Sequence, residues 1–291
     1  MKKISVLILL SLILNTQPAN AVDVLPQPFF DYLGSKYLAK PGIILLDGTS
    51  KHVVYESGAT VLRSPASVLK LTSATAVAMT LDSTTVFTTS LYKTEKRGVF
   101  VILGENDPWM TSSAKYRDAN KRAYTPTLIK KAFASDKKLK KITLLYRGVS
   151  GTELYKAKRA LGRRASVVYK ALDKNIDPKS LITEKVVEIK SPQLLKMIKF
   201  ALLYSDNLLS QRLAMLATTK SGYAADKNGL NEMMNEKLTA LGVDTTGLHL
   251  EDGSGLSGGN RISAVTVSQL LLKIRSEPKL KVVYDSLPTS G

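Results

Sequence analysis

The sequence predicts a mixed α/β fold, because short apolar strands and longer helical patterns alternate along it. Residues 42–48 and 52–55 are two strand-like runs on either side of a turn, which predicts a β-hairpin. Residues 68–81 are rich in Ala, Leu and Met and predict a buried helix. Further strands are predicted at residues 99–103, an unbroken apolar run that ends in a turn, and at residues 141–146.

Helices are predicted for much of the last third of the chain. Ser191 and Pro192 are typical of a helix start, with Ser as the cap and Pro in the first turn. Apolar residues then recur at helical spacing, first at Leu194, Leu195, Ile198, Ala201 and Leu202, and again at Leu208, Leu209, Leu213 and Leu216. A long Gly/Ser loop at residues 252–259 precedes a last helix at residues 265–274.

The first residues predict export. Residues 1–21 have a basic start, an apolar run at residues 4–14 and an Ala-Asn-Ala ending, which is the layout of a secretory signal peptide cleaved after Ala21. A membrane anchor is the alternative, but the apolar run is far shorter than the roughly 20 residues that span a bilayer. We therefore expect the protein in the periplasm, the cell wall or the extracellular space. The remaining chain suits one large domain, or one domain with an insertion.

Composition excludes several kinds of chemistry. The chain has no cysteine, which rules out disulfides, thiol catalysis and cysteine metal sites. Its only histidines, His52 and His249, are too few for a histidine-rich metal centre and fit surface or packing roles. If the protein performs covalent chemistry, we therefore expect a base other than histidine.

The basic charge is concentrated in one stretch. The chain has 42 Lys and Arg against 24 Asp and Glu, and 18 of the basic against 4 of the acidic side chains lie in residues 115–174. Outside the cytoplasm nucleic acid is a poor candidate partner. A clustered positive surface suits anionic wall polymers or a membrane surface, and the alternative is a solvated face that only maintains solubility.

Ser67 and Lys70 form a Ser-x-x-Lys element at the predicted start of the helix that follows. Residues three apart share a helix face, so the amine of Lys70 can reach the hydroxyl of Ser67. A serine hydroxyl needs a neighbouring base to become a nucleophile, and a lysine can act as that base when burial or nearby positive charge lowers its pKa. The element is common by chance and needs support from elsewhere in the chain.

That support comes from Ser205-Asp206-Asn207, where a hydroxyl and a carboxamide lie two positions apart at a helix end. Ser205 could pass a proton between Lys70 and a leaving amine, and Asn207 could hydrogen-bond a substrate amide. The two elements in this order, in a cysteine-free chain with an export signal, are far more specific together than either is alone.

The chain resembles the class C low-molecular-mass penicillin-binding proteins, the D-alanyl-D-alanine carboxypeptidase/endopeptidase group. The resemblance is carried by five segments that match family motifs, at residues 65–71, 103–108, 194–207, 252–257 and 287–288. It extends over roughly residues 40–291 and is weakest between 115 and 185.

The resemblance implies a penicillin-binding/β-lactamase-like transpeptidase fold, with an antiparallel sheet between helices. It places the catalytic domain at residues 22–84 and 186–291 and an inserted basic subdomain at residues 85–185. It also implies that Ser67 is the acylated nucleophile, Lys70 its general base, Ser205 a proton shuttle and Asn207 a substrate contact. The substrate would be the D-Ala-D-Ala amide of peptidoglycan stem peptides, β-lactams would be trapped at Ser67, and no cofactor or metal is needed.

Two features depart from the family pattern. The 138 positions between Ser67 and Ser205 leave little room for the inserted domains of the larger members. The third motif, Lys-Thr-Gly or Lys-Ser-Gly on an edge strand, is expected after Pro288, so the C-terminal part of the fold is expected to be missing. Residues 220–222 read Lys-Ser-Gly but lie in a polar run, at residues 218–229, that we predict to be a loop.

Three functions therefore compete at this point. The first is a serine D-Ala-D-Ala carboxypeptidase or endopeptidase, or the N-terminal part of one. The second is a truncated or degenerate relative that binds anionic wall polymers without catalysis. A β-lactamase is the third and is disfavoured, because the sequence has no Glu-x-x-Leu-Asn element to activate a deacylating water.

Overall fold

The computed structural model describes residues 25–36, 38, 40–162 and 166–289. The predicted signal peptide at residues 1–21 lies outside these ranges. The chain divides into two compact units: residues 1–61 with Ser263–Val265, and residues 62–262 with residues 266–291.

The first unit contains one helix and a two-stranded antiparallel sheet, namely α1 (Gln27–Leu33), β1 (Ile43–Leu46) and β2 (Val53–Ser57). Asp47 closes the turn between the strands, because its Oδ1 accepts hydrogen bonds from the backbone N–H groups of Thr49 and Ser50 at 2.9 and 2.5 Å. The predicted hairpin is therefore confirmed.

The second unit contains a five-stranded sheet made of β3 (Thr88–Lys93), β4 (Val99–Gly104), β5 (Lys141–Arg147), β6 (Ser166–Ala171) and β7 (Lys185–Lys190). The strand order is β6-β5-β4-β3-β7. β3 pairs antiparallel with β4 and β7, whereas β4 with β5 and β5 with β6 are parallel pairs. This sheet is mixed, because helical crossovers join β4 to β5 and β5 to β6, and such connections leave neighbouring strands parallel.

Three helices lie in the connections of this sheet, namely α3 (Ala114–Asn120), α4 (Thr125–Ala134) and α5 (Gly151–Ala160). α4 and α5 contact each other. They bury a hydrophobic core with the strands that includes Leu91, Ile102, Leu128, Ile129, Ile142, Leu144 and Leu154.

A second core is helical and contains α2 (Lys70–Thr80), α6 (Leu194–Leu203), α7 (Asn207–Lys220), α8 (Lys227–Ala240), α9 (Ala264–Ser276) and α10 (Lys281–Tyr284). α2 lies at its centre and contacts α6, α7, α8 and α10. The buried residues of this core include Leu69, Val77, Met197, Ile198, Leu213, Leu230, Met234 and Leu238. The predicted limits of the inserted subdomain, residues 85 and 185, stay a prediction.

Two local predictions are wrong by a few residues. The helix expected at Ser191 begins at Leu194, since the hydroxyl of Ser191 is used elsewhere, as acceptor from the backbone N–H of Phe87 at 2.9 Å. The polar run at residues 218–229 forms the predicted loop only at residues 221–226, because α7 extends to Lys220 and α8 begins at Lys227. Within the described ranges, none of the helices combines the length and apolar character that a membrane crossing requires.

Candidate active site

Ser67 and Lys70 lie together at the start of α2. Residues Ala66–Leu69 form a single 3₁₀ turn that continues into the helix, and residues three apart in such a turn are eclipsed. The Nζ atom of Lys70 accordingly donates a hydrogen bond to Oγ of Ser67 at 2.9 Å. Ser67 is exposed, whereas Lys70 is only 3% exposed, so the hydroxyl faces solvent and the amine is enclosed.

The surroundings of Lys70 favour its neutral form. Burial lowers the pKa of the amine below the ordinary lysine value, and it outweighs the opposite influence of the carboxylates of Asp252 and Asp206. Nζ also donates to the carbonyl oxygen of Ser254 at 2.8 Å. These contacts direct Nζ toward Ser67, and the lowered pKa increases the fraction of amine that can accept a proton.

Ser205 approaches Ser67 from the opposite side. Its Oγ donates a hydrogen bond to Oγ of Ser67 at 2.8 Å. Its backbone has a φ of +51°, a left-handed conformation that costs a non-glycine residue about 1–3 kcal/mol when the surroundings impose it. The hydroxyl of Ser205 is thus held in position by a locally strained turn between α6 and α7.

Asn207 is the one predicted site residue that does not join this cluster. It is the first residue of α7 and is half-buried. Within the described part of the chain, its side chain forms no hydrogen bond with Ser67, Lys70 or Ser205. The structure therefore brings three of the four residues into contact, and the roles assigned to all four stay predictions.

The Gly/Ser loop is organised around Asp252. Its carboxylate accepts hydrogen bonds from the backbone N–H groups of Ser254, Gly255 and Ser257 at 2.7, 2.6 and 2.5 Å. Burial raises the pKa of this carboxyl, but the three N–H groups outweigh that influence and hold the pKa below the ordinary aspartate value. The loop is thereby folded so that the carbonyl of Ser254 faces Lys70.

Side chains from two helices anchor this loop. Oγ of Ser73 in α2 donates to the carbonyl of Gly253 at 2.7 Å, and Oε1 of Gln211 in α7 accepts from the N–H of Gly253 at 2.6 Å. Gly255 has a φ of +87°, and a Cβ atom there would lie 1.8 Å from the carbonyl oxygen of Ala66. Only glycine allows the loop to approach the segment that contains Ser67 this closely.

Sequence reasoning missed the role of Asp206. Its Oδ1 accepts a hydrogen bond from the N–H of Leu209 at 2.9 Å and caps α7, while Oδ2 forms an ion pair with the buried side chain of Arg122. An aspartate just before a helical pattern is a recognisable cap signal. Nothing in the sequence indicates Arg122, which lies 84 positions away.

The predicted turn at residues 104–108 borders a cavity of about 360 Å³ that none of the four predicted site residues lines. Burial raises the pKa of Asp107 in its wall to about 6. The guanidinium of Arg212 lies in the cavity wall. It forms an ion pair with Glu153 at 2.5 Å and donates a hydrogen bond to the carbonyl of Met110 at 2.6 Å. Asp107 therefore belongs to a cavity beside α7 that is separate from the Ser67 cluster.

The Lys-Ser-Gly sequence at residues 220–222 lies at the C-terminal end of α7. Thirteen residues of helix separate it from Asn207, which corresponds to about 20 Å at 1.5 Å per residue. It therefore lies at a helix end rather than on an edge strand. In the described part of the chain, no group of three or more His, Cys, Asp or Glu side chains could hold a metal ion.

Comparison with known proteins shows which family the chain resembles. Residues 171–291 match the model of the D-Ala-D-Ala carboxypeptidase 3 (S13) family. This part of the chain is thus similar to the S13 D-Ala-D-Ala carboxypeptidases. The family resemblance inferred from the motifs is thereby confirmed.

Two curated relatives match parts of the chain. Carboxypeptidase DacB of Mycolicibacterium smegmatis is 28% identical over 108 residues, which are 36% of this chain and 24% of that protein. The D-alanyl-D-alanine carboxypeptidase of an Actinomadura species is 50% identical over 58 residues, which are 20% of this chain and 11% of that protein. The matches thus span a quarter or less of the length of these relatives.

Solved structures share the fold. Penicillin binding protein 4 of Haemophilus influenzae, in complex with a β-lactam, has a TM-score of 0.65 and 15% identity, and the match covers 94% of this chain and 81% of that one. A predatory endopeptidase of Bdellovibrio bacteriovorus, Bd0816, has a TM-score of 0.52 and 15% identity, with 83% and 72% covered. The penicillin-binding fold implied by the motifs is therefore confirmed.

Proposed function

We propose that the protein is a serine-type D-Ala-D-Ala carboxypeptidase/endopeptidase that acts on peptidoglycan stem peptides through an acyl-enzyme at Ser67. The observation that carries the proposal is the convergence of two groups on one hydroxyl. Nζ of Lys70 and Oγ of Ser205 lie 2.9 and 2.8 Å from Oγ of Ser67. A base and a second proton carrier are the two partners that a serine nucleophile needs to exchange an amide for an ester.

The reaction begins with proton transfer from the hydroxyl of Ser67 to the neutral amine of Lys70, as Oγ attacks the carbonyl carbon between the two D-alanines. Ser205 passes the proton from Lys70 to the nitrogen of the leaving D-alanine or cross-linked stem, and the amide bond breaks. Asn207 contacts the substrate amide. Water then attacks the ester, with Lys70 again as the base, and the stem peptide leaves with a new carboxylate.

β-Lactams are proposed to acylate Ser67 by the same route. The matched Haemophilus influenzae protein was solved in complex with a β-lactam, and the fold is shared. A β-lactam opens into an ester whose amine stays tethered, so the leaving group cannot diffuse away and the acyl-enzyme persists.

The test is intact-mass measurement of the purified protein after incubation with benzylpenicillin. We expect one adduct of the mass of the drug on the unsubstituted protein and none on Ser67→Ala. Ser64→Ala is the matched control, because it removes an exposed hydroxyl three residues away and should leave the adduct intact. A folded, unsubstituted protein that forms no adduct would contradict the proposal and favour a non-catalytic relative.

We also propose that the protein acts outside the cytoplasmic membrane. The layout of residues 1–21 supports export, and peptidoglycan, the proposed substrate, is located there. Cleavage after Ala21 is the expected processing step, and the N-terminal sequence of the protein from its native source would test it.

The basic stretch is proposed to hold the enzyme on anionic wall polymers. α4 and α5 lie side by side, and their outer faces together with the adjoining loop present exposed basic side chains at Lys130, Lys131, Lys137, Lys138, Lys158 and Arg159. None of these forms an ion pair with another residue of the described ranges. A surface of unpaired positive charge attracts a repeating polyanion over about a Debye length.

Binding of fluorescent polyphosphate at several salt concentrations tests this surface. The double substitution K130E/K131E should weaken binding about tenfold or more at low salt, whereas K196E/K199E, the same charge change on α6, should have little effect. Equal loss in both variants would reject a specific surface. Binding to anionic lipid vesicles but not to polyphosphate would instead indicate a membrane.

A further inference from the structure

Arg122 is an unusual residue for the position it occupies. It follows α3 in the stretch of the chain that contains the five-stranded sheet, and it is 3% exposed. Burial of a guanidinium removes its hydration and is costly unless a partner compensates. The compensation that the structure provides lies beside the candidate active site.

The partners of Arg122 are one carboxylate and three aromatic rings. Nη2 is paired with Oδ2 of Asp206, and the guanidinium carbon lies 4.6, 5.2 and 5.4 Å from the ring centroids of Trp109, Phe200 and Tyr116. Cations within about 6 Å of a ring centroid are attracted to the ring face. The rings cover the guanidinium, whose side chain is fully buried, and the exclusion of water from it strengthens its attraction to Asp206.

Asp206 connects this ion pair to the reacting groups. Its Oδ1 caps α7 through the N–H of Leu209 at 2.9 Å, so both carboxylate oxygens are held. Ser205, the preceding residue, has the strained φ of +51° that places its hydroxyl on Ser67. A strained backbone conformation of this kind persists only where neighbouring contacts hold it in place. Asp206, with a partner on each of its two carboxylate oxygens, provides such contacts.

From this arrangement we propose that Arg122 is a positioning residue of the active site: through Asp206 it holds Ser205 on Ser67 and shields Lys70 from the negative charge of Asp206. The inference rests on the proposed acyl-transfer function. It makes the sheet-containing part of the chain a structural component of the catalytic centre rather than a separate binding module.

The shielding follows from the charges around Lys70. Two carboxylates face its amine, Asp252 from the Gly/Ser loop and Asp206 from the cap of α7, and its other contacts are the neutral oxygens of Ser67 and Ser254. Removal of Arg122 leaves Asp206 uncompensated and raises the pKa of Lys70. Removal of the charge of Asp206 lowers that pKa. The two changes therefore move the pH profile of acylation in opposite directions.

The experiment compares benzylpenicillin acylation rates from pH 6 to pH 11 for the unsubstituted protein, R122M, R122K and D206N. R122M should acylate about 100-fold more slowly at neutral pH, as expected for a displaced catalytic group, with its half-maximal pH about one unit higher. D206N keeps a capping side chain and should move that pH lower. R122K keeps the charge without the planar stacking, so it should restore the pH profile but not the full rate.

Arg117→Met is the matched control, since Arg117 lies in the adjoining helix α3, is exposed, and stacks on Tyr124 at 4.7 Å. It should acylate at the rate of the unsubstituted protein. Trp109 is the sole tryptophan of the chain, so its fluorescence should change in R122M and R122K but not in R117M. A cooperative urea unfolding transition followed by the same fluorescence identifies the variants that remain folded.

A titration of the ¹³Cε signal of Lys70, assigned by its loss in Lys70→Arg, measures the pKa without any reaction. A rise in R122M and a fall in D206N would support the shielding even if benzylpenicillin acylates none of the proteins, an outcome that would contradict only the proposed function. The same pKa in all variants, or acylation of folded R122M at the unsubstituted rate and pH profile, would overturn the role of Arg122. If R122M fails to fold, the pKa of Lys70 and the acylation rates of R122K and D206N test the role of Arg122 in its place.

Discussion

Lys70→Met is expected to lower the rate of acylation by benzylpenicillin about 1,000-fold, in line with the contribution of a positioned general base. Methionine has nearly the length of lysine and fills the same enclosed space, but its thioether cannot accept the proton of Ser67. The residual rate should also lose the rise with pH that a titrating amine produces. Stopped-flow or quenched-flow acylation at several pH values would measure both effects.

The same substitution should leave the protein as stable as before or more stable. The pKa of Lys70 is lowered in the folded protein by burial. A lysine with a lowered folded pKa reduces the free energy of unfolding at every pH below its unfolded value, and methionine removes that cost. Lys196→Met on α6, where the side chain is exposed, is the control for loss of a lysine. Rapid acylation by a folded Lys70→Met protein would show that another group is the base.

Asp252→Ala is expected to have the second-largest effect, because it removes the acceptor around which the Gly/Ser loop is folded. Three backbone N–H groups lose their partner, and we expect the free energy of unfolding at pH 7 to fall by about 3 kcal/mol. The carbonyl of Ser254 should then leave Lys70, lowering acylation about 100-fold. Urea unfolding and acylation rates of the variant measure the two consequences.

The free energy of unfolding lost in Asp252→Ala should be largest at neutral pH and smaller in acid. The folded pKa of Asp252 lies below its ordinary value of 3.8, so its stabilisation is fully present above that value and disappears as the pH falls through the folded pKa. The difference between Asp252→Ala and the unsubstituted protein should therefore be constant at neutral pH and shrink below about pH 4.

Asp226→Ala provides a matched control for loss of an aspartate. Asp226 caps α8 through the N–H of Gly229 at 2.9 Å and has no contact with the candidate site in the described ranges. Its replacement should cost about 1 kcal/mol and leave acylation unchanged. An Asp252→Ala protein with the acylation rate of the control would remove the loop from the mechanism.

Short-range features of the protein were predictable from its sequence. The hairpin β1–β2, the strands at residues 99–104 and 141–147 and the helix that follows Ser67 all form near the expected positions. The contact between Ser67 and Lys70 was also predictable, because three residues of helical backbone bring the two side chains together whatever surrounds them. The missed boundaries, such as the start of α6, depend on a partner far along the chain, here Phe87 for Ser191.

The rest was decided by the tertiary structure. The hydrogen bonds that complete the site join residues 138 and 184 positions apart, from Ser205 to Ser67 and from Lys70 to Ser254, and Arg122 reaches Asp206 across 84 positions. Local helix and strand propensities carry no information about such pairs, since the distance between the two residues depends on how the chain between them folds. The mixed sheet has the same origin: helical crossovers, not strand composition, make three of its strands parallel. The sequence by itself thus predicted the contact between Ser67 and Lys70 and the family resemblance, whereas the packing of distant segments decided how Lys70 is enclosed, how Ser205 is held, and that a buried arginine lies beside the site.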